Sequence, residues 1–222
     1  MKKYKAFLFD LNGTMINDMH YHINAWYQLL NSMGATISPE ETKRQCYGKN
    51  HELLERIFPG RFSEDEKKII SVEKEKAYQQ GFRPYLKLVD GLDKFLVKAH
   101  QDDIKMGIGS AAIMMNVDFV LDGLQIRKYF SAIVSADEVI LSKPDPETFL
   151  KCADLLNLKS EDCLVFEDSP KGTEAAKNAG MNCVVITTMH EPGEFESGNI
   201  ICFAKDFTGD LYESLKRHKE IV

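Results

Sequence analysis

Carboxylates, a hydroxyl and a lysine come directly after several short apolar runs of this sequence. Asp10 follows the run FLF in the segment FLFDLNGTMIND, and Ser110 follows an apolar run in GIGSAA. Lys143 lies in LSKPDP, and the pair Glu167 and Asp168 ends the run in VFEDSP. A carboxylate nucleophile with a hydroxyl, a lysine and an acidic pair beside it is a set of groups suited to phosphoryl transfer.

The chemistry that this set suggests is attack of a carboxylate on phosphorus. Asp10 would form an aspartyl phosphate, and Mg²⁺ held by oxygen ligands would neutralise charge between carboxylates and phosphate. Ser110, Lys143 and backbone N–H groups would hold the other phosphate oxygens, and Gly13 would let the chain turn sharply beside them. Each residue alone is more often a turn, cap or surface residue. Their order along the chain is what makes the pattern specific.

Six short apolar runs predict the buried strands that would position these residues. The runs are Tyr4–Phe9, Ile104–Gly109, Ala132–Ser135, Cys163–Phe166, Cys183–Thr187 and Ile200–Phe203. After residue 90 they alternate with helical patterns, which predicts an α/β fold with a Rossmann-like parallel sheet and helices on both faces. Because functional residues gather at the carboxyl ends of parallel strands, the polar segments are expected to meet at one edge.

The segment 15–85 has no convincing strand and is predicted to be an all-helical cap domain inserted after the first strand. The core domain would then comprise 1–14 and 86–222. Ser38 and Ser63 are predicted helix N-caps, each with a glutamate three residues later. The charge-rich run EKKIISVEKEKAY is interpreted as a solvated amphipathic helix rather than a binding patch. Since both ends of the insert join the core at neighbouring points, the insert is expected to be a mobile lid.

Composition narrows the class of protein. The chain has 222 residues and a formal net charge of -6, which disfavours a general nucleic-acid footprint. No apolar run is long enough for a membrane span or a signal peptide, so no membrane association and a cytoplasmic location are expected. The five cysteines are scattered and contain no CxxC pair, which favours reduced, mostly buried thiols.

The order DxxGT, GS, SKP and EDS in these segments resembles that of the haloacid dehalogenase superfamily, in the subclass with a helical cap inserted after the first motif. Within that subclass the chain is similar to the β-phosphoglucomutases and related sugar-phosphate phosphatases, across essentially its whole length. The resemblance implies a Mg²⁺-dependent phosphatase or phosphotransferase that acts on a small phosphorylated metabolite, with a monomer expected. Dehalogenase chemistry is not favoured, because the acidic pair of the metal site is present.

The resemblance also implies roles for individual residues. It makes Asp10 the nucleophile and Lys143 the lysine of the third motif. The phosphate ligands expected from the first and second motifs are Thr14, Ser110 and Ala111. The expected metal ligands are oxygen donors near the strand ends, namely Asp10, the backbone carbonyl of Asn12, Asp168 and an assisting Glu167.

Position 12 departs from the pattern of the superfamily. The superfamily has Asp there, which passes a proton to the leaving group and then receives one from the attacking water or hydroxyl. Asn12 is nearly isosteric and keeps the backbone carbonyl, but it cannot exchange a proton, so turnover is expected to fall by roughly 10²–10⁴-fold. An engineered substitution and a natural departure both fit. An alternative is a catalytically inactive protein of the same fold that binds a phosphorylated metabolite.

The helical insert is the second place where the resemblance points to function. His22, in HYHINAW, matches a cap-side histidine of the phosphoglucomutases, and CYGKNHELL matches the cap loop that reads the substrate. Lys49 in this loop is expected to face the substrate. Tyr47 and His51 stand where the mutases have a lysine and an arginine for the second phosphate of a sugar bisphosphate. Phosphatase activity is therefore favoured over mutase activity.

Overall fold

The structure is a computed structural model that describes residues 4–196 and 198–217. The core range expected from the sequence also takes in residues 1–3, 197 and 218–222, which lie outside the described residues. Within the described part of the chain, no helix combines the length and the apolar character needed to cross a membrane.

The chain divides into two compact units. The helical unit comprises Asp18–Leu86, and the core unit comprises Met1–Asn17 together with Lys87–Val222. The insert expected from the sequence, 15–85, overlaps the helical unit.

The helical unit, all of which is described, contains no strand. Its helices are α1 (Met19–Ser32), α2 (Pro39–Gln45), α3 (Asn50–Ile57) and α4 (Glu64–Phe82). The predicted N-caps are confirmed, because Ser38 accepts a hydrogen bond from the N–H of Glu41, and Ser63 and Glu66 form a reciprocal capping box. An apolar cluster that includes Trp26 holds the helices together.

Helix α4 is less solvated at some charged positions than its sequence predicts. Lys74 and Glu75 are only 2% and 3% exposed, and their side chains form an ion pair at 2.9 Å. The interpretation of this run as a solvated face was therefore wrong at these positions. Buried charges are tolerated only when they are paired and hydrogen-bonded, and here α1 supplies the additional partners.

The core unit is built on a six-stranded sheet in which every pair of neighbours is parallel. The strands are β1 (Ala6–Phe9), β2 (Lys105–Gly109), β3 (Ala132–Val134), β4 (Cys163–Glu167), β5 (Asn182–Ile186) and β6 (Ile200–Ala204). Their order is β3-β2-β1-β4-β5-β6. The order reverses at β1, and in an open α/β sheet such a switch point opens a crevice at the carboxyl edge. The predicted α/β fold with a parallel sheet is confirmed.

In the described residues of the core unit, four α-helices precede or connect strands, and a fifth follows the last strand. They are α5 (Leu92–Gln101), α6 (Met114–Gly123), α7 (Glu147–Leu155), α8 (Pro170–Asn178) and α9 (Leu211–Arg217). Helix α8 begins with Ser169 as the N-cap and Pro170 in the first turn, where proline is well tolerated. Gly180 follows the end of α8 with a φ of 73°, a conformation that glycine adopts without steric cost.

Strand β1 lies at the centre of the sheet and is buried on both faces. Ala6, Leu8 and Phe9 are 0% exposed, which explains why the strand reads as a continuous apolar run rather than an alternating one. The ring of Phe9 stacks on that of Phe166 in β4, with centroids 4.8 Å apart. This packing fixes the strand whose next residue is Asp10.

The cysteines of the protein are all free. Burial raises the pKa of the Cys46 thiol to about 11 and that of Cys152 to about 12. These two thiols therefore stay protonated near neutral pH, as expected for buried structural cysteines.

Candidate active site

Asp10 and Glu167 lie side by side because of the register between β1 and β4. Phe9 pairs with Phe166, and the N–H of Asp10 donates to the carbonyl of Phe166 at 2.9 Å. On its other side β1 pairs with β2, so the GS segment that follows β2 flanks the same strand end. Three of the predicted polar segments therefore meet at one edge of the sheet, as expected for parallel strands.

Lys143 joins these strand ends through all three hydrogens of its ammonium group. Its Nζ lies 2.6 Å from Oδ1 of Asp10, 2.7 Å from Oε1 of Glu167 and 3.0 Å from the carbonyl oxygen of Gly109. The lysine is 9% exposed and Glu167 only 1%. One cation is thus shared between two carboxylates in a largely dry setting, where such contacts are stronger than in water.

The two carboxylates keep this lysine charged. Burial by itself lowers the pKa of the Lys143 ammonium, but Asp10 and Glu167 act in the opposite direction and raise that pKa above its usual value. A permanently charged lysine beside Asp10 favours the carboxylate form that a nucleophile requires and attracts an anionic substrate.

Glu167 is held on both of its oxygens. Oε1 accepts from Lys143, while Oε2 accepts from the N–H groups of Asp168 and Ser169, each at 2.9 Å, and from the Ser169 hydroxyl at 3.0 Å. Gly172 in the first turn of α8 makes room for this carboxylate. A Cβ added at Gly172 would lie 1.8 Å from Oε1 of Glu167. Glu167 therefore orients Lys143 and the loop that carries Asp168.

The loop after Asp10 packs directly against Asp168. Gly13 has a φ of 85°, and a Cβ at this position would lie 2.1 Å from Oδ2 of Asp168, so only glycine fits. The hydroxyl of Thr14, which is 0% exposed, lies 3.4 Å from Oδ1 of Asp168. The hydroxyl of Thr188, just beyond β5, donates to the carbonyl of Gly13 at 2.5 Å. These contacts fix the backbone of residues 12–14 beside the Asp168 carboxylate.

Ser110 and Ala111 lie in the loop between β2 and α6, which begins at Met114. Ser110 is 1% exposed, its N–H donates to the carbonyl of Val134 at 2.9 Å, and its hydroxyl accepts from the N–H of Ala112 at 3.1 Å. Ala111 is exposed. One hydrogen bond inside the turn and one to β3 therefore fix its conformation. The turn directly follows Gly109, whose carbonyl oxygen Lys143 contacts.

The donors beside Gly13 suit Mg²⁺. In the described residues no group of three or more His, Cys, Asp or Glu side chains is arranged to hold a metal ion. Mg²⁺ does not need such a group, since it is usually bound by one or two carboxylates together with water and substrate phosphate. Asp10, Asp168 and the carbonyl of Asn12 offer oxygen donors alone, and the glycine at 13 lets the backbone approach Asp168 closely. Glu167 already has contacts on both oxygens.

His22 belongs to the helical unit, where it takes part in a buried polar cluster. Its Nδ1 lies 2.6 Å from Nζ of Lys74, its Nε2 lies 3.3 Å from Oδ2 of Asp18, and its ring stacks on Tyr78 with centroids 3.6 Å apart. A charged lysine can only donate, so Nδ1 must accept and the proton of neutral His22 must sit on Nε2, facing Asp18. The hydroxyl of Tyr78 donates to Asp18 at 2.5 Å.

Lys49, the other predicted cap-side ligand, precedes α3. Its N–H donates to Glu52 at 2.8 Å. The loop before it is braced by Arg56, whose guanidinium lies 3.8 Å from the centre of the Tyr47 ring and donates to the Tyr47 carbonyl at 2.8 Å. Asn50 donates to Glu75 at 2.7 Å, so the loop is also tied to the buried cluster of the helical unit.

Several residues that shape these sites were not predicted from the sequence. Thr188 had a usable signal, since a hydroxyl after a buried strand is the pattern that singled out Ser110. Gly172 had another, because a glycine in the first turn of a helix is unfavourable unless a close contact requires it. Asp18 and Tyr78 gave no local signal, because their burial depends on how α1 and α4 pack.

Comparisons with known proteins place the chain in a family. The family model for haloacid dehalogenase-like hydrolases matches residues 7–186. A β-phosphoglucomutase of Bacillus subtilis is 30% identical over 191 residues, 82% of this chain and 83% of that protein. A fructose-1-phosphate phosphatase of Escherichia coli is 27% identical over 185 residues, 83% of this chain and 97% of that protein.

A solved structure gives the same result. The crystal structure of a β-phosphoglucomutase from Clostridium difficile superposes with a TM-score of 0.84 at 26% sequence identity, covering 96% of each chain. The chain with Asp10, Lys143 and Asp168 at one edge of a parallel sheet therefore belongs to the family of haloacid dehalogenase-like hydrolases.

Proposed function

We propose that this protein catalyses Mg²⁺-dependent phosphoryl transfer from a small phosphorylated metabolite, such as a sugar phosphate, through an aspartyl phosphate on Asp10. The observation that carries the proposal is the position of Lys143, which contacts Asp10 and Glu167 at 2.6 and 2.7 Å. This contact keeps an anionic nucleophile and a fixed positive charge together at the switch point of the sheet.

Each site residue of the core unit has its own role in this reaction. Asp10 attacks phosphorus, Lys143 supplies positive charge beside it, and the hydroxyls of Thr14 and Ser110 with the N–H of Ala111 hold the phosphate oxygens. Asp10, Asp168 and the carbonyl of Asn12 would hold Mg²⁺, while Glu167 positions Lys143. Bound Mg²⁺ would neutralise charge between the carboxylates and the phosphate.

Asn12 is expected to limit the turnover rate of the enzyme. A carboxamide cannot pass a proton to the leaving group or take one from water, so turnover is expected to be low in a site that otherwise binds substrate well. The test is phosphate release from a panel of sugar phosphates by the parent chain and by Asn12→Asp. We expect Asn12→Asp to raise turnover by roughly 10²–10⁴-fold. Equal turnover of both forms on every good substrate would contradict the role given to position 12.

A second candidate is a protein that binds a phosphorylated metabolite without turning it over, and Asn12 is the observation that favours it. The same panel separates the two functions. Binding of a sugar phosphate with no turnover in either form would support a binding protein, whereas turnover in Asn12→Asp that is lost on Asp10→Ala supports the enzyme.

Substrate choice is proposed to lie in the helical unit. The Tyr47 to His51 loop lacks the two cations expected of a mutase, which favours a phosphatase for a monophosphate. Substitution of Lys49 or His22 should reorder the substrate panel and leave Mg²⁺ affinity nearly unchanged. A uniform effect on all substrates would contradict this. A monomer in the cytoplasm is the setting proposed for the enzyme.

A further inference from the structure

The loop after β2 continues from the expected phosphate ligands into an apolar segment. Ser110 is followed by the sequence AAIMM, residues 111–115, which we call the apolar rim. Ala111 is exposed, and each of the other four residues is partly exposed. The side chains of the rim carry only methyl and methylene groups and thioethers, which accept hydrogen bonds weakly.

The backbone of the apolar rim is fixed by contacts inside the core unit. The N–H of Ala112 donates to the Ser110 hydroxyl at 3.1 Å, and its carbonyl accepts from the N–H of Ala136 at 2.8 Å. The N–H of Met114 donates to Asp137 at 2.7 Å. Because the core unit already uses these backbone groups, the rim offers a ligand mainly apolar surface beyond the phosphate ligands.

The segment that holds the rim also exposes apolar side chains. Ala136 and Asp137 begin the loop that leads from β3 to Lys143, and in this loop Ile140 is 82% exposed and Leu141 is 54% exposed. A single exposed apolar residue is ordinary on a protein surface. Here two loops that are hydrogen-bonded to each other both expose such residues, and one follows Ser110 while the other leads to Lys143. Exposed apolar surface that adjoins a polar site is typical of a ligand-binding surface.

The position of the rim limits what can bind there. Ile113 is three residues from Ser110, so their Cα atoms lie within about 11 Å of each other. An organic group joined to a phosphate at Ser110 can therefore reach the rim. A sugar would bring several hydroxyls to a surface that cannot hydrogen-bond them, and burying an unpaired hydroxyl lowers affinity. An alkyl or aromatic group would instead strengthen binding by up to about fourfold for each methylene that it buries.

We propose that the apolar rim binds the organic group of the substrate, and that this group is alkyl or aromatic next to the phosphate. The inference rests on the proposed function and narrows its substrate to phosphate monoesters of that class. Ile113 is assigned as a specificity-determining residue. The two methionines beside it have flexible, polarizable side chains, which adapt to apolar groups of different shape.

The experiment is calorimetric titration of the full parent chain, in Mg²⁺, with phosphonates whose carbon–phosphorus bond is not hydrolysed. The series is methyl-, ethyl-, propyl- and butylphosphonate. We expect Kd to fall by about 2–4-fold for each added methylene. A further ligand, 2-hydroxyethylphosphonate, matches propylphosphonate in size but ends in a hydroxyl, and it should bind at least ~5-fold more weakly than propylphosphonate.

Two variants test whether the rim is responsible. Ile113→Ser removes apolar surface at the N-cap position of α6, where serine is preferred, so this variant is expected to fold. The ratio of Kd between methyl- and butylphosphonate should shrink at least ~3-fold. Leu155→Ser is the matched control, since Leu155 is 56% exposed at the end of α7, and it should keep the series of the parent. Thermal unfolding of both variants checks that they are folded.

The outcomes separate this inference from the proposed function. The inference is overturned if Kd does not change along the series, or if 2-hydroxyethylphosphonate binds more tightly than propylphosphonate. A series that is unchanged in Ile113→Ser would place the apolar contacts elsewhere and would also overturn it. Each of these results leaves the proposed enzyme intact. If no phosphonate binds, the inference fails as well, and phosphate release by Asn12→Asp then shows whether the proposed function stands.

Discussion

Gly172→Ala offers a sharp test of the contacts that hold Lys143. Gly172 lies inside α8, where alanine is the better helix former by about 1 kcal/mol. Helix propensity alone therefore predicts a more stable protein. The structure predicts the opposite, because the new Cβ would lie 1.8 Å from the carboxylate of Glu167.

The size of the effect follows from what Glu167 would lose. To avoid the Cβ, a carboxylate that is 1% exposed must leave its ion pair with Lys143 at 2.7 Å and three further hydrogen bonds. Breaking a buried ion pair costs about 3–5 kcal/mol, and the better helix propensity of alanine offsets about 1 kcal/mol of that cost. The free energy of unfolding should fall by about 2–4 kcal/mol, which lowers the unfolding midpoint by roughly 5–15 °C.

The assay is thermal and urea unfolding followed by circular dichroism, with Gly81→Ala as the matched control. Gly81 also lies in a helix, but a Cβ there would come no closer than 3.7 Å to the Tyr21 ring. The control should be unchanged or up to about 1 kcal/mol more stable. If Gly172→Ala is as stable as the parent chain, the carboxylate of Glu167 does not need the space beside this glycine.

Three further changes test other contacts. Lys143→Met should abolish turnover and destabilise the core by about 3–5 kcal/mol, because two buried carboxylates lose their cation; unchanged urea unfolding would contradict this. Tyr78→Phe should cost about 1.5–3 kcal/mol, because Asp18, which is 0% exposed, loses a short hydrogen bond of 2.5 Å; an equal urea midpoint would show that another donor replaces it. Hydrogen bonds to the carboxylate of Glu147 lower its pKa from 4.5 to about 2, and the largest effect comes from the N–H of Leu141. That contribution to stability is complete above pH 4.5 and is lost as the pH falls through 2. Glu147→Gln should therefore lower the free energy of unfolding at pH 6, and the difference in this free energy from the parent should shrink towards pH 2. A difference that does not change with pH would show that ionised Glu147 does not stabilise the fold.

Much of the core could be predicted from the sequence because its central strands, β1 and β4, are buried on both faces. An apolar run such as the one before Asp10 marks a central parallel strand, and parallel strands deliver the residues that follow them to one edge. Asp10, Lys143 and the acidic pair could therefore be placed near one another with no knowledge of side-chain contacts. The partners of Lys143 could not be foreseen in detail, since they depend on side-chain directions across three segments of chain.

The helical unit was harder to read for a different reason. The segment around Lys74 alternates charges as a solvated helix does, and nothing local shows that one face is buried. Its partners are Asp18, which precedes α1, His22 on α1 and Tyr78 on α4, so the cluster exists only after the two helices pack. Residues with such partners look like surface residues until tertiary structure is known.

The separation in sequence between contacting site residues bears on how the protein folds. Lys143 and Asp10 are 133 positions apart, and Thr14 and Asp168 are 154 apart. These contacts form only after long chain loops have closed, so affinity for phosphate should appear late in refolding, together with the complete sheet. A ligand bound there holds the first and fourth strands together, and at 100 times its Kd it adds about 2.7 kcal/mol to global stability. Inorganic phosphate should therefore protect the amides of the central strands from hydrogen exchange even though it touches only their ends.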